Sequence, residues 1–325
     1  MNLPKTLKLK MYKQMLLIRQ FELEVKRLLE QMKIKGTAHL YIGEEAVAVG
    51  VCSALKNNDY ITSTHRGHGH CIAKGGNVNR MMAELFGKTN GYCKGKGGSM
   101  HIADMETFNL GANGIVGGGV PIATGAGLSI KMRNSTQVAI CFFGDTTTNQ
   151  GSFHESVNMA SIWDLPVIYI CENNFYGISI NIKDAMKANN IADRIKAYNI
   201  PAYTIDGNNV SEVYEATKKA LAYTRSGKGP YFLECITYRW LGHSRSDPCV
   251  YRPEGEKEKW MEKCPIKRLE ADLLNSNVDK TELEKIKKEV IREVEKAIAF
   301  GENGPDPGPE DLYKDLFCEE GVLDA

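Results

Sequence analysis

The chain has 325 residues, 42% hydrophobic and 25% charged, a composition that suits a globular protein able to bury a sizeable core. Its 41 Lys and Arg against 40 Asp and Glu leave a net charge of +1, which argues against a partner held by bulk charge such as nucleic acid. No apolar run reaches the roughly eighteen residues of a membrane span, and the opening MNLPKTLKLKMYKQ has neither a signal-peptide core nor the Arg/Ser richness of a transit peptide. A cytoplasmic location and no membrane partner are expected.

The first predicted element is a helix over 6–32, with Met11, Met15, Ile18, Val25, Leu29 and Met32 on one stripe. A helix over 44–55, a short strand at 60–62 and a helix over 78–86 follow. The stretch 87–119 is long and irregular, which inside a compact domain signals a functional surface. After a glycine-containing helix over 120–132 the chain alternates regularly. Apolar strands are predicted at 138–143 and 166–171, and further strands at 202–205 and 231–237. Helices over 152–163, 191–198 and 210–225 separate them. This pattern predicts an α/β fold, an open and mostly parallel sheet with helices on both faces. Beyond Pro253 the sequence is charged and helical, so the expected organisation is one domain over 1–325 with a helical extension from about 253.

Nine cysteines are scattered with no two within four residues, so CxxC zinc and redox motifs are absent and reduced, largely buried thiols are expected. Of 31 glycines, 21 lie between Gly36 and Gly151. Such crowding predicts either tight turns or a cavity where backbone approaches a ligand closely.

Two strand ends carry chemistry. Asp145 directly follows the strand at 138–143, and Asn174 stands 29 residues later, after the next apolar strand. In open α/β sheets ligands collect at these carboxyl ends. A carboxylate and an amide oxygen there suit Mg²⁺, with phosphate oxygens and water completing the octahedron. Taken singly, an N-cap aspartate and an asparagine turn would explain them; their joint placement favours a metal site. P-loop and dinucleotide-binding glycine motifs are absent. His65, His68 and His70 are expected in a glycine-rich loop, facing a phosphate and not a metal, while His101 and His154 are expected to be structural.

GDTTTNQG at 144–151 and ENNFYG at 172–177 together resemble the thiamine-diphosphate motif. With HLYIGEEA, ITSTHRGHGHC, GKGGSMHI, GANGIVGGGVP, SGKGP and GHSRSDP, the chain is similar from about Tyr12 to Trp260 to one particular family. These are the α subunits of the decarboxylating component of 2-oxo acid dehydrogenase complexes, of the pyruvate and acetoin types. The resemblance implies thiamine diphosphate and Mg²⁺ as cofactors, with the metal held by Asp145, Asn174 and the Tyr176 carbonyl. It places Thr146, Thr147, Arg66, His65 and Arg239 by the diphosphate, and backbone at Gly114 and Val116 against the aminopyrimidine ring. His39 and His243 fall at the substrate end, to orient substrate and relay protons, with His243 also within reach of the cofactor. Thr146 departs from the motif, which normally has glycine there.

The reaction so implied is decarboxylation of pyruvate with transfer of the acetyl group to a lipoyl carrier. The alternative is cleavage of acetoin to acetaldehyde and an acetyl-lipoyl product. ITSTHRGHGHCIAKG and GGGVP look like the acetoin type, whereas GHSRSDP followed by Tyr251-Arg252 looks more like the pyruvate type, the preferred reading. No glutamate here matches the one the family needs to activate the cofactor, so a β subunit in an α2β2 heterotetramer is expected to supply it. The lone chain is then inactive, and a lipoyl-bearing acyltransferase is the further partner. Ser244 lies in a loop like one phosphorylated in mitochondrial relatives, and an unmodified loop is expected. A cofactor-free assembly protein of the same fold is the other alternative, favoured only by Thr146.

Overall fold

The computed structural model describes residues 3–316, so Cys318 lies outside the described residues. Its strands are β1 (Tyr60–Thr62), β2 (Ala139–Gly144), β3 (Val167–Asn173), β4 (Tyr176–Gly177), β5 (Ile180–Asn181), β6 (Ala202–Asp206) and β7 (Tyr231–Ile236). Five of them form one sheet in the order β1-β2-β3-β7-β6, with every neighbouring pair parallel. β2 and β3 lie inside this sheet, which is why AICFF and VIYIC run almost without a polar residue: both faces are covered.

The pleat divides the strand residues between two cores. Ile140, Phe142, Ile168, Ile170 and Leu233 pack with α1 (Lys5–Glu30), α2 (Glu45–Ala54), α9 (Val210–Arg225), α11 (Pro265–Asn275) and α12 (Lys280–Glu302). Cys141, Phe143, Val167, Tyr169 and Phe232 face the other way, onto α5 (Gly119–Met132), α6 (Gly151–Ile162) and α8 (Ile191–Ile195). The remaining helices are α3 (His68–Lys74), α4 (Val78–Leu85), α7 (Ile182–Ala185) and α10 (Glu256–Glu262). Helices therefore cover both faces, as the α/β pattern predicts. No helix among the described residues is long and apolar enough to cross a membrane.

Two local readings are corrected. His68–Lys74 is a helix, not a glycine-rich loop. Gly69 lets it lie against the Tyr41 ring, where a Cβ would come within 2.2 Å of Tyr41 Cδ1, and Gly75 ends it at φ +103°. Asp145–Asn149 forms a 3₁₀ segment, and α6 follows from Gly151, within one residue of its predicted start. The helix expected over 191–198 tightens to a 3₁₀ turn at Lys196–Tyr198.

The irregular stretch after α4 contains two one-turn 3₁₀ segments, Gly98–Met100 and Met105–Thr107. Its shape is set by one buried carboxylate. Glu84 accepts backbone N–H groups from Cys93 at 2.8 Å, Gly95 at 2.9 Å, Gly97 at 2.8 Å and Gly98 at 2.9 Å. The described cysteines are free thiols, buried except for the half-buried Cys93 and Cys249.

Candidate active site

Register brings the two strand ends together. Gly144 of β2 pairs with Glu172 of β3, so Asp145 and Asn173–Asn174 leave the sheet side by side. They open into a cavity of about 310 Å³ bounded also by Arg66, Val116, Arg239 and His243.

Asp145 is 2% exposed, and burial pushes its carboxyl up to about 6. Its Oδ1 accepts the Thr146 N–H at 2.7 Å, while Oδ2 is buried without a partner. Asn174 donates Nδ2 to Glu44 Oε1 at 2.9 Å, which turns its amide oxygen to the other side, where it receives only a long 3.4 Å contact from the Tyr176 N–H. The Tyr176 carbonyl meets only a 3.4 Å contact from Arg239. An orphaned carboxylate oxygen, an amide oxygen and a carbonyl oxygen are a hard donor set, and they fit Mg²⁺. The turn carrying them is strained: Phe175 has φ +71° and the β-branched Ile178 φ +54°.

Thr146 and Thr147 are each matched to a glycine. A Cβ at Gly177 would lie 2.2 Å from Thr146 Cγ2, so the threonine side chain occupies space that a glycine opposite leaves free. Gly117, at φ +80°, approaches Thr147 similarly, with a built Cβ 3.3 Å from its Cγ2. Thr146 keeps an ordinary negative φ, so its presence strains nothing in the backbone.

Two buried guanidinium groups face the same space. Arg66, 4% exposed, donates to the carbonyls of Leu40 at 2.8 Å and His243 at 3.1 Å, with Nε 3.9 Å from Glu44 Oε2. Arg239, 2% exposed, reaches the carbonyls of Leu241 at 3.2 Å and Ile178 at 3.4 Å. At the inner end the His39 ring lies 4.8 Å from that of His65 and 4.9 Å from that of His243. Burial, reinforced by Arg66, lowers these imidazoles to about 3 for His39, about 2 for His65 and about 4 for His243. All three are neutral at pH 7.

Thus Asp145, Thr146, Thr147, Asn174, Tyr176, Arg66, Arg239, His65, His243 and Val116 line one cavity. His39 packs against its histidines, and Gly114 sits one step back, where a Cβ would meet the His101 ring at 3.5 Å. His68 and His70 are corrections. His68 bridges Glu22 Oε2 and Ser99 Oγ, each at 3.0 Å, while His70 bridges Ser63 Oγ at 2.7 Å and Glu172 Oε1 at 3.0 Å. Both are buried and fully partnered, so neither faces a phosphate. Sequence reasoning missed two cavity carboxylates. Glu44 is pushed up to about 7 by burial and by Glu172, and Glu172 itself accepts from Tyr41 and His70. A glutamate ending an otherwise apolar strand was the available signal.

An open parallel sheet with buried oxygen donors and two buried arginines at its carboxyl edge defines an α/β protein whose cavity lies where ligands gather in such folds. Residues 13–310 match the family model described as dehydrogenase E1 component, and the chain belongs to that family. It is 47% identical over 307 residues to the α subunit of acetoin:2,6-dichlorophenolindophenol oxidoreductase from Bacillus subtilis (strain 168), covering 94% of this chain and 92% of that one. The corresponding Cupriavidus necator subunit is 42% identical, over 95% of this chain and 93% of the relative. The pyruvate dehydrogenase E1 component subunit alpha of Rhizobium meliloti is also 42% identical, over 95% and 89%.

Proposed function

We propose that this chain is the α subunit of a thiamine-diphosphate-dependent dehydrogenase that decarboxylates pyruvate and passes the acetyl group to a lipoyl carrier. The observation carrying this reading is the orphaned Asp145 Oδ2 beside Asn174 at the ends of adjacent parallel strands. In it Asp145, Asn174 and the Tyr176 carbonyl hold Mg²⁺. Arg66, Arg239, His65 and the backbone at Thr146 and Thr147 hold the diphosphate, and Val116 and Gly114 flank the aminopyrimidine. Bound there, the cofactor supplies an electron sink for cleavage of a carbon–carbon bond. The protein's part is to orient and exclude. Arg66 and Arg239, fixed by backbone carbonyls, neutralise phosphate charge without moving. His39 and His243 are neutral at working pH, and the unpartnered His39 Nδ1 can take a hydrogen bond from the substrate.

A β subunit completes an α2β2 assembly and a lipoyl-bearing acyltransferase takes the product, in one cytoplasmic complex. The lone chain, a single domain whose C-terminal helices brace α1 and α4, is inactive in this reading. Acetoin cleavage is the second reading, favoured by 47% identity to an acetoin-type subunit against 42% to a pyruvate-type one. With the β partner present, carbon dioxide release from pyruvate is expected to exceed acetaldehyde release from acetoin. The reverse ratio selects the second reading, and neither product rejects both.

A further inference from the structure

The same cavity contains a second set of donors of different chemistry. One nitrogen from each of His39, His65 and His243 lies within 4.8 Å of the other two. Three chain segments far apart in sequence converge to make this cluster, and ring centroids 4.8, 4.9 and 5.2 Å apart leave no side chain between them. His39 Nδ1 and His65 Nε2 are buried and without hydrogen-bond partners. His39 is 8% exposed. By contrast His68 and His70, a few residues from His65, have both ring nitrogens engaged. A buried polar atom left bare calls for a ligand.

We propose that His39, His65 and His243 form a binding site for a divalent transition-metal ion of the zinc type, distinct from the oxygen-lined position at Asp145. Three imidazole nitrogens with a fourth position for water or a carboxylate are the donor set of an open zinc site. A metal–nitrogen distance of about 2.0–2.1 Å puts tetrahedral ligand atoms roughly 3.4 Å apart, so nitrogens as much as 4.8 Å apart approach one another by up to about 1.4 Å. Their neutrality at pH 7 is the form that ligates. Magnesium, which prefers oxygen, does not compete for three nitrogens. The opposing charges are Arg66 and Arg239; both guanidinium groups are directed at backbone carbonyls, and an anionic fourth ligand offsets what remains. If the proposed function is right, the ion blocks the substrate end and takes His65 from the diphosphate, which makes transition metals inhibitors even with Mg²⁺ in excess.

Cobalt(II) serves as the probe. The full chain, free of thiamine diphosphate and saturated with Mg²⁺, is titrated with Co²⁺ while visible absorption is recorded. The intense bands of a four-coordinate nitrogen-ligated ion are expected to saturate at one per chain and to be displaced by Zn²⁺. His39→Gln and His243→Gln are expected to lose the bands, and Asp145→Asn to keep them. Absence of the bands in the unsubstituted protein overturns the site, whatever the variants' folding. So does their persistence in both histidine variants, or their loss in a folded Asp145→Asn. Because the titration is run without thiamine diphosphate, which under the proposed function engages His65, failure of that function leaves the signal unchanged.

Discussion

The Thr146 side chain stands directly against Gly177, 2.2 Å from where a Cβ at that glycine would lie. The substitution that departs from the thiamine-diphosphate motif is therefore accommodated across the turn, at the start of the β4–β5 hairpin. Gly177→Ala should overpack this contact and cost about 1–3 kcal/mol. Thr146→Gly in the same chain should recover most of that loss. Urea unfolding of the two single variants and the double variant measures the coupling, and additive losses would show that the contact is not shared.

Asp145→Ala removes the only carboxylate in the proposed magnesium set. Mg²⁺-dependent thiamine diphosphate binding is expected to vanish in calorimetric titrations of the reconstituted complex, with the circular dichroism spectrum retained. Unchanged affinity would move the metal elsewhere.

Metal loading should depend on acidity through the same residue. Its carboxyl, raised by burial from 3.8 to about 6, must lose its proton before it can bind a cation. Apparent Mg²⁺ affinity is expected to fall about tenfold per pH unit below about 6 and to level off above it. For the metal-free fold the sign is opposite: the unfolded carboxyl ionises from about 3.8 upward while the folded one stays protonated. Its stabilising contribution is therefore present at low pH and lost as pH rises through about 6. His39, His65 and His243, with lowered values, act the other way, costing stability as pH falls below about 6.5. A flat binding curve between pH 5 and 7 would show that Asp145 is ionised without the metal.

Glu84→Ala should release the segment 93–98. Its carboxylate accepts four backbone N–H groups there, and bonds to a charged acceptor contribute about 1.5–3 kcal/mol each, so a loss of at least about 3 kcal/mol is expected. Hydrogen exchange at these amides should accelerate, while β2 and β3 stay protected. Equal exchange in both proteins would mean that something else orders the loop.

β2, β3 and α9 were legible in sequence because apolar runs and amphipathic period write burial directly. α9 matches its predicted span, 210–225, at both ends. α3 was not legible, since its first six residues, histidines and glycine among them, are all buried and leave no amphipathic period to read. His68 and His70 are satisfied by Glu22 and Glu172, 46 and 102 residues away, which no local pattern encodes. The same holds for the cavity. Asp145 and Asn174 announced themselves as strand-end residues, whereas the clustering of His39 with His65 and His243 depends on how three loops meet.

The thiols carry a practical consequence. Cys141 on β2 is pushed up to about 12 by burial, and Cys171 and Cys235 on neighbouring strands well above their ordinary value. Almost no thiolate exists there at neutral pH, and the thiolate is the reactive species. Electrophilic labels and air oxidation should thus reach the half-buried Cys249 first among the described positions, ahead of Cys93, whose thiol is also raised by burial and donates to the His101 carbonyl. That makes Cys249 the natural handle for attaching a probe without disturbing the sheet.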